Sequence, residues 1–493
     1  MSLVDVPESL RRCENLIAGH WQPAQGGASR DLISPYTGRA VGQVVLSNRA
    51  DVDAAVAGAR AALPGWRATT SKERARPLFR FRELVLRHLD ELANLAALEA
   101  GKTRAEARAG LEKGLEVVEF ALGLPNLDDG AVLEVSRGVS CEVRREPLGV
   151  VAGITPFNFP GMVPLWMFPI AISVGNAFIL KPSEKVPMTG TRLGELMLEA
   201  GYPPGVFSIV HGDKEAALAL VDHPQVSAIA FVGSTPAARA VYVRATSLGK
   251  RALCLGGAKN HIIMVPDADE AVTVRGVVDS FTGCAGQRCM AASVLLAVGP
   301  VDGLVSKIAE EARRLQVGRD LGAMIDGAAV DRVRRAVDRA EADGAELLVD
   351  GRQRPPPPGY EGGHWLGATI IDRARADMEC ARVELFGPVL PVVRCSTLDE
   401  ALGIEARSPY GNATSVFTTS GAVARAVGER ASSGMVGVNV GVPVPREPFS
   451  FGGTKESKFG HGDITGRPAV EFWSRLKKVT TKWAVEPAAN WMS

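Results

Sequence analysis

The stretch VVAGI at residues 150–154 is a short apolar run, and such runs form strands that are buried on both faces of a sheet. Similar runs follow at residues 177–180, 206–210 and 229–232. Between the second and third runs, residues 189–200 carry apolar side chains at helical spacing, and a glycine follows where helices commonly end. This alternation of strand and helix predicts a mainly parallel sheet with helices on both faces.

A second series of the same kind begins after residue 260. Residues 262–265 and 389–393 are predicted strands, and residues 268–282 and 301–315 are predicted helices. A glycine pair at 256–257 separates the two series. We therefore predict an α/β fold with two doubly wound parallel-sheet domains, which suits a chain of 493 residues.

Composition argues against several classes of function. The net charge of +1 gives no electrostatic basis for binding nucleic acid or an acidic membrane. The most apolar stretch, residues 161–175, is short and contains two prolines, so no membrane span is predicted. Seven cysteines without framework spacing indicate free thiols in a reducing compartment and no zinc site. The amino-terminal stretch is charged where a signal peptide would be apolar, and we expect a cytoplasmic protein.

Two side chains are candidates for attack on a carbonyl group. Cys289 follows Arg288, whose charge favours the thiolate, and Gly283 and Gly286 let the backbone approach a substrate closely. The alternative is a small buried thiol, as most cysteines are. Asn158 lies between two phenylalanines in a proline-rich turn after a strand. It is either a turn-former or an amide donor to the oxyanion that thiolate attack creates.

Three further segments are candidates for a nucleotide site. Lys181 and Glu184 follow a strand, at the edge where parallel sheets bind nucleotides, although Ser183 also suits the start of a helix. The turn at residues 233–236 opens a helix and offers N–H groups to a phosphate. Residues 384–388 alternate a carboxylate and an aromatic side chain, which either line a pocket or are one solvated and one packed. No Gly-x-Gly-x-x-Gly fingerprint occurs.

Together and in this order, these segments resemble the aldehyde dehydrogenase superfamily over nearly the whole chain, from about Ile17 to Trp483. The chain is most similar to the CoA-acylating methylmalonate-semialdehyde dehydrogenase branch. Four stretches carry that similarity: residues 155–160 (TPFNFP), 164–169 (PLWMFP), 257–261 (GAKNH) and 477–483 (KKVTTKW).

The resemblance implies a role for each matching residue. Cys289 would be the nucleophile, and Asn158 would donate to the oxyanion. Glu184 would lie near the ribose 2′ position and favour NAD over NADP by repelling a phosphate there. The residues implied around NAD are Thr155, Phe157, Lys181, Glu184, Lys185, Ser234, Gly256, Glu384 and Phe386.

The resemblance also implies the division of the chain. Residues 1–127 and 145–255 would form the NAD-binding domain, and residues 256–455 the catalytic domain. Residues 128–144 and 456–493 would form a small β arm that joins subunits into a homodimer or homotetramer.

This chain departs from the family pattern at two places. Hydrolytic members have a glutamate that activates water upstream of the nucleophile, whereas here that place falls on Cys254 or Leu255, depending on the alignment. Without a base, the thioester should react with a better nucleophile than water, and coenzyme A fits this need. The branch also holds the substrate carboxylate with an arginine, which Lys113 replaces here, so that Arg288 would be the main cation for the carboxylate.

The predicted function is therefore NAD-dependent oxidation of malonate or methylmalonate semialdehyde through a Cys289 thioester. Acyl transfer to coenzyme A and decarboxylation would give acetyl-CoA or propionyl-CoA. One alternative is a hydrolytic semialdehyde dehydrogenase that releases a free acid. Another is an inactive aldehyde dehydrogenase-like binding protein, which the intact Cys289, Asn158, Lys181 and Glu384 argue against.

Overall fold

The computed structural model describes residues 3–7, 9–127 and 130–483. Within these residues the strands, in chain order, are β1 (Arg11–Cys13), β2 (Asn15–Ile17), β3 (His20–Gln22), β4 (Ser29–Ile33), β5 (Ala40–Val45), β6 (Ala131–Ser136), β7 (Val139–Pro147), β8 (Val150–Ile154), β9 (Ala177–Lys181), β10 (Phe207–Ile209), β11 (Val226–Val232), β12 (Arg251–Leu255), β13 (Asn260–Met264), β14 (Ala292–Val298), β15 (Glu346–Val349), β16 (Thr369–Asp372), β17 (Val389–Cys395), β18 (Tyr410–Gly411), β19 (Ala413–Phe417), β20 (Met435–Val438), β21 (Thr454–Lys455), β22 (Lys458–Phe459) and β23 (Ser474–Lys482).

Helices connect these strands over the same described ranges. They are α1 (Arg49–Ala68), α2 (Ser71–Arg87), α3 (Leu89–Ala100), α4 (Arg104–Leu122), α5 (Leu124–Leu127), α6 (Met162–Ser173), α7 (Pro187–Glu199), α8 (Lys214–Asp222), α9 (Thr235–Ser247), α10 (Glu270–Thr282), α11 (Asp302–Arg314), α12 (Gly327–Ala342), α13 (Glu379–Arg382), α14 (Leu398–Arg407), α15 (Gly421–Arg430) and α16 (Gly466–Phe472), with a 3₁₀ turn at Gly283–Gly286.

The first large sheet has the strand order β22-β12-β11-β8-β9-β10-β2-β3, and its inner strands β12, β11, β8, β9 and β10 are parallel. Every residue of β8 is buried, because alternate side chains enter two separate cores. Val151 packs in the core that contains residues of α6, whereas Ala152 packs in the core that contains residues of α1. The predicted double apolar face of residues 150–154 is therefore covered on both sides.

The second large sheet has the order β15-β16-β17-β14-β13-β19-β20, and all neighbours except β15 and β16 run parallel. Alternate residues of β13 again enter two cores, with Ile263 in one and Ile262 in the other. Only residues 256–259 separate β12 of the first sheet from β13 of the second. The predicted α/β fold with two doubly wound sheets is confirmed.

A smaller, antiparallel sheet of order β23-β7-β6 is joined to the first large sheet through the chain, since only residues 148 and 149 separate β7 from β8. Strand β23 pairs with β7 along nine residues, from Ser474 opposite Pro147 to Lys482 opposite Val139. Strand β6 is exposed along its whole length. Within the described part of the segment 456–493, namely residues 456–483, only β23 joins this arm, because β22 pairs with β12, and Phe472 and Trp473 pack in the main core. Residues 128, 129 and 484–493 lie outside the described residues.

No helix among the described residues combines the length and apolarity that crossing a membrane requires. The seven cysteines are all free thiols.

Candidate active site

A cleft of about 820 Å³ lies between the two large sheets. One wall consists of segments that follow the carboxyl ends of β8, β9, β11 and β12, and the other consists of segments that precede β14, β17 and β19. Eleven of the thirteen site residues predicted from sequence line this cleft: Thr155, Phe157, Asn158, Lys181, Glu184, Lys185, Ser234, Gly256, Cys289, Glu384 and Phe386.

Cys289 is placed by an unusual turn. Three consecutive residues before it, Cys284, Ala285 and Gly286, have positive φ angles of 56°, 51° and 69°. A Cβ at Gly286 would lie 2.1 Å from the carbonyl oxygen of Gly387, so the close approach of these two chain segments requires glycine. The reversal of the chain at this turn brings Cys289 from the end of α10 to the cleft just before β14.

Two side-chain amides hold the backbone of the nucleophile. Asn260 donates through Nδ2 to the carbonyl oxygen of Cys289 at 2.8 Å, and Asn412 donates to the same oxygen at 2.9 Å. Asn260 also donates to the carbonyl of Ala291 and accepts from the amide of Ala413. The two amides thus tie the start of β14 to the starts of β13 and β19, which fixes the direction of the Cys289 Cα–Cβ bond.

The Cys289 thiol is held in its protonated form in this state. Burial raises its pKa to about 12, and the negative charge of Glu384 acts in the same direction. Arg288 and Lys102 oppose these effects. The cleft thus needs a bound ligand or a change of charge before the thiolate forms readily, because it is the thiolate that attacks carbonyl groups.

Asn158 lies beside the nucleophile segment. Its Nδ2 donates to the carbonyl oxygen of Gln287 at 3.0 Å, two residues before Cys289. Gln287 is itself fixed, since its Nε2 donates to Ala323 O at 3.2 Å and its Oε1 accepts from the amide of Ile325 at 3.0 Å. The amide of Asn158 therefore has a defined orientation beside the segment that carries Cys289, and both residues line the cleft, as an oxyanion donor requires.

Charged groups line the far end of the cleft. The ammonium of Lys181 lies 3.5 Å from a carboxylate oxygen of Glu184, and burial lowers the pKa of Lys181. Arg30, on β4, lies 3.9 Å from the other carboxylate oxygen of Glu184. Lys185 forms an ion pair with Asp326 at 2.6 Å and lies 5.9 Å from the centre of the Phe157 ring. Glu184 thus sits between two cations with one edge toward the cleft.

The start of α9 and the loop after β12 form the middle of the same wall. Ser234 stands at the amino end of α9, and its hydroxyl makes no capping hydrogen bond there. A Cβ at Gly256 would lie 2.7 Å from the carbonyl of Glu456, so this glycine permits two loops to meet. The hydroxyl of Thr155 is buried without a hydrogen-bond partner. A helix terminus with a free hydroxyl and an unpaired buried hydroxyl nearby suit a phosphate and a polar ligand.

Glu384 closes the cleft near Cys289. Its Oε1 accepts from the amide of Ala258 at 2.9 Å, and burial raises its pKa to about 7. The rings of Phe386 and Phe157 meet edge to face at 5.8 Å between centroids, so that the cleft narrows between a carboxylate and an aromatic pair.

Hydrolytic relatives have a glutamate where this chain has Leu255 or Cys254. The side chains of these two residues point to opposite sides of the first sheet. Leu255 lines the cleft, whereas Cys254 is fully buried in the core that contains residues of α1. Neither position places a carboxylate in the cleft.

The two predicted substrate cations, Arg288 and Lys113, do not line the cleft. Arg288 folds back on α10 and donates to the carbonyl of Asp279 and, at 3.0 Å, to that of Ser280. Lys113 is paired with Glu116 at 2.5 Å and lies 3.7 Å from Glu447. Both cations are thus engaged with acceptors of the protein itself, and their role toward a carboxylate stays a prediction.

Sequence reasoning missed the amides that hold the nucleophile. Asn260 appeared only within a family stretch, and neither Asn412 nor Gln287 carried a local signal. Among the residues that the structure describes, no group of three or more histidine, cysteine or acidic side chains is arranged to hold a metal ion.

The fold and this cleft define a protein of the aldehyde dehydrogenase class, and comparison with known proteins agrees. The model of the aldehyde dehydrogenase family matches residues 21–479, and the chain belongs to this family. Malonate-semialdehyde dehydrogenase 2 of Geobacillus kaustophilus is 43% identical over 478 residues, which cover 95% of this chain and 98% of that protein. A malonate-semialdehyde dehydrogenase of Pseudomonas aeruginosa is 43% identical over 472 residues, or 93% and 94% of the two chains.

Solved structures agree with these relatives. A candidate methylmalonate-semialdehyde dehydrogenase of Sinorhizobium meliloti, complexed with NAD, superposes with a TM-score of 0.95 at 42% identity and covers 98% of this chain and 100% of that one. The methylmalonate-semialdehyde dehydrogenase of Oceanimonas doudoroffii also has a TM-score of 0.95 at 42% identity, with 97% and 99% covered.

Proposed function

We propose that this protein oxidises malonate or methylmalonate semialdehyde with NAD and transfers the acyl group to coenzyme A. The observation that carries the proposal is the meeting of Cys289 and Asn158 at one cleft between two parallel sheets. The relatives named above support the substrate class, since they are called malonate- and methylmalonate-semialdehyde dehydrogenases.

In this proposal Cys289 bonds to the aldehyde carbon, and the carbonyl oxygen becomes an oxyanion. The Asn158 amide and the Cys289 backbone N–H donate to that oxyanion. Asn260 and Asn412 keep the backbone of Cys289 in place during attack. The acyl group then remains on Sγ as a thioester until a second nucleophile arrives.

NAD fits the cleft, and it supplies the acceptor for the aldehyde hydride. Lys181 and Glu184 would hold the adenosine ribose, Ser234 and the amino end of α9 the pyrophosphate, and Glu384 the nicotinamide ribose. Thr155, Phe157, Lys185, Gly256 and Phe386 complete the lining. The carboxylate of Glu184 would disfavour a 2′-phosphate and so select NAD over NADP.

The proposal that coenzyme A removes the acyl group rests on the absence of a water-activating glutamate at the position where hydrolytic relatives have one. Leu255 presents an apolar side chain where hydrolytic relatives have a glutamate, and Cys254 faces the core. A thiol substrate needs less assistance than water, because its thiolate is the better nucleophile. For a 3-oxo acid, loss of CO₂ from the acyl group would give acetyl-CoA or propionyl-CoA. Arg288 and Lys113 remain the proposed cations for the substrate carboxylate.

One observation favours a hydrolytic alternative. Glu384 lines the same cleft as Cys289, and its pKa of about 7 is that of a general base able to activate water near neutral pH. In that case the product would be a free acid, and coenzyme A would be dispensable.

The experiment is NADH formation from malonate and methylmalonate semialdehydes, with and without coenzyme A, with the products identified by mass. We expect turnover that requires coenzyme A and yields acetyl- or propionyl-CoA. Full-rate turnover to a free acid without coenzyme A would instead establish the hydrolytic reaction. A Glu384→Gln variant that keeps a single-turnover burst of NADH but loses steady turnover would then identify Glu384 as the base, because acylation would be intact and only deacylation lost. No NADH with either aldehyde would support an inactive binding protein.

We also propose that the two large sheets are the NAD-binding and catalytic domains, and that the β23-β7-β6 arm joins subunits of a homodimer or homotetramer. The exposed side chains of Val132, Leu133 and Leu476 on this arm support the second point. Replacement of Val132 and Leu133 by serine, followed by light scattering, tests it, and an unchanged mass would contradict it.

A further inference from the structure

A lysine and a cysteine meet in the interior behind the cleft. Lys102 follows the carboxyl end of α3, and Cys284 lies in the left-handed turn before Cys289. The Lys102 Nζ is 3.3 Å from the Cys284 Sγ, and the two residues are only 3% and 5% exposed. This distance is already close to direct contact between nitrogen and sulfur.

The surroundings of the lysine are unusual for a buried cation. Its Nζ lies 3.1 Å from the centre of the Phe159 ring, and it forms no ion pair with a carboxylate among the described residues. The carboxylate of Glu106 is occupied by the backbone amide of Cys284 at 2.6 Å. Burial lowers the pKa of Lys102 and raises that of Cys284, so the pair gains in its uncharged form of amine and thiol.

Because the nitrogen and the sulfur are in contact, they are poised for one reaction. If the sulfur is oxidised to a sulfenic acid, the Lys102 nitrogen lies 3.3 Å away as a nucleophile. Sulfenic acids condense with nitrogen nucleophiles as well as with thiols. Phe159 lines the cleft, and the Lys102 Nζ lies over its ring, so that the pair adjoins the wall of the cleft.

We propose that Lys102 and Cys284 are an oxidative modification site, at which hydrogen peroxide produces a covalent Sγ–Nζ bond. In the first step the Cys284 thiol proton passes to the neighbouring Lys102 Nζ, and the thiolate sulfur attacks one peroxide oxygen as the O–O bond breaks. The departing hydroxide takes that proton back from Nζ and leaves as water, so that a sulfenic acid stands beside an uncharged amine. In the second step the Nζ lone pair attacks the sulfur and the S–O bond breaks. The departing hydroxide takes a proton from nitrogen and leaves as a second water. A dithiol reductant reverses the bond by restoring the thiol and the amine.

The bond would act on the nucleophile through the turn. The S–N separation must shorten from 3.3 Å to a covalent bond length, which displaces Cys284 within the turn. Gln287 follows this turn and provides the acceptor for Asn158. The cross-link should therefore slow acylation of Cys289 without consuming the Cys289 thiol.

The chain contains a matched control pair. Lys259 is also buried, its pKa is lowered to about 8 by burial, and it lies near Cys380. However, its Nζ donates to the carbonyls of Cys380 and Val383 at 2.7 and 2.8 Å, and among the described residues no hydrogen bond joins it to the Cys380 sulfur, unlike Lys102 and Cys284. The proposal predicts no cross-link between Lys259 and Cys380.

The test uses the full-length Cys289→Ser variant, which removes the reactive thiol, treated with hydrogen peroxide and digested without reductant. Mass spectrometry should find the Lys102 and Cys284 peptides linked, at their summed mass less two hydrogen atoms. The linked species should disappear with dithiothreitol and be absent from a Cys289→Ser, Lys102→Met variant. Recovery of Cys284 only as sulfinic or sulfonic acid, or an equal yield of linked Lys259 and Cys380, would overturn the proposal.

Activity gives a second measurement with Cys289 intact. Peroxide should inactivate the wild type more than Lys102→Met, and dithiothreitol should recover that additional loss. Equal recoverable losses in both proteins would show that the pair has no effect on the nucleophile. If Lys102→Met does not fold, mass spectrometry of the peroxide-treated wild type still shows whether Lys102 and Cys284 are linked. A disulfide between Cys284 and Cys289 in that sample would contradict the proposal.

Discussion

The two walls of the cleft differ in how their side chains are bound. The wall of the first sheet follows the carboxyl ends of β8, β9, β11 and β12, and it offers groups without strong internal partners, such as the hydroxyls of Thr155 and Ser234. The wall of the second sheet precedes the amino ends of its strands, and there the carbonyl of Cys289 accepts two amide hydrogen bonds. One wall is built to receive a ligand, and the other is built to hold a nucleophile still.

Because the two walls differ in this way, the usual rule for ligand sites on parallel sheets locates only the wall of the first sheet. In parallel sheets ligands bind beyond the carboxyl ends of the strands, and the first sheet turns these ends toward the cleft. The second sheet faces the cleft with the amino ends of its strands. The reason is that residues 256–259 lead directly from the end of β12 to the start of β13. Cys289 and Glu384, which precede β14 and β17, thereby face the wall of the first sheet across the cleft.

The largest effect is expected from Cys289→Ala. Loss of the nucleophile should reduce both NADH and acyl-CoA formation by at least about 10³-fold, since binding alone cannot replace the covalent step. Cys141→Ser, on the arm strand β7, is the matched control and should keep most of the activity. Acyl transfer that persists in Cys289→Ala would show that another residue is the nucleophile.

Asn158→Ala should lower kcat by about 10²-fold to 10³-fold, because an oxyanion donor contributes chiefly in the transition state. The KM for NAD should change little. Steady-state kinetics on both substrates separates the two parameters. A variant with normal kcat would remove Asn158 from the oxyanion site and leave it as a support for Gln287.

The hydrogen bonds to the Cys289 carbonyl distinguish the holding wall from the receiving wall. Asn412→Ala and Asn260→Ala should each lower kcat by about tenfold, as one hydrogen bond of about 1.4 kcal/mol would. Because both donate to one oxygen, the double variant should lose less than the product of the single effects. A purely additive double variant, measured at saturating NAD, would mean that the two amides act independently.

A smaller effect is expected from removing the negative charge of Glu384, which lies in the same cleft as the Cys289 thiol. Glu384 raises the pKa of Cys289, so Glu384→Gln should lower that pKa and speed alkylation by iodoacetamide severalfold above pH 7, where Glu384 is ionised. In the wild type the rate should keep rising with pH beyond 9, because the thiol pKa is about 12. Glu184→Gln, at the far end of the cleft, should not alter the rate. Equal rates in Glu384→Gln and wild type would show that this charge does not reach the thiol.

The sequence predicted the strands well where burial on both faces leaves a continuous apolar run. Strand β8 was predicted at residues 150–154, as the structure has it, and α10 was predicted two residues too early, at 268. Helix ends are less certain because capping groups and loops decide them. The family resemblance places residues 456–493 in the subunit-joining arm, yet Phe472 and Trp473 pack in the chain's own core while Leu476 is exposed.

The candidate site residues divide in a similar way, into those that the structure places at the cleft and those whose side chains point away from it. Cys289, Asn158 and the nucleotide residues carry signals in short segments, and the structure gathers them at one cleft. Arg288 and Lys113 have equally suggestive chemistry in the sequence, but their side chains turn to acceptors on α10 and to two glutamates. A sequence shows which charges are present, whereas the direction of a long flexible side chain depends on every acceptor within its reach.

The sequence by itself determined the fold class and the family resemblance, and it singled out Cys289 as the candidate nucleophile, because apolar periodicity and short motifs are local properties of the chain. Only the tertiary structure decided which groups support that thiol. Asn260, Asn412, Lys102 and Gln287 act across contacts between distant segments, and hydrogen bonds and nitrogen–sulfur contacts of about 3 Å exist only after both sheets have packed.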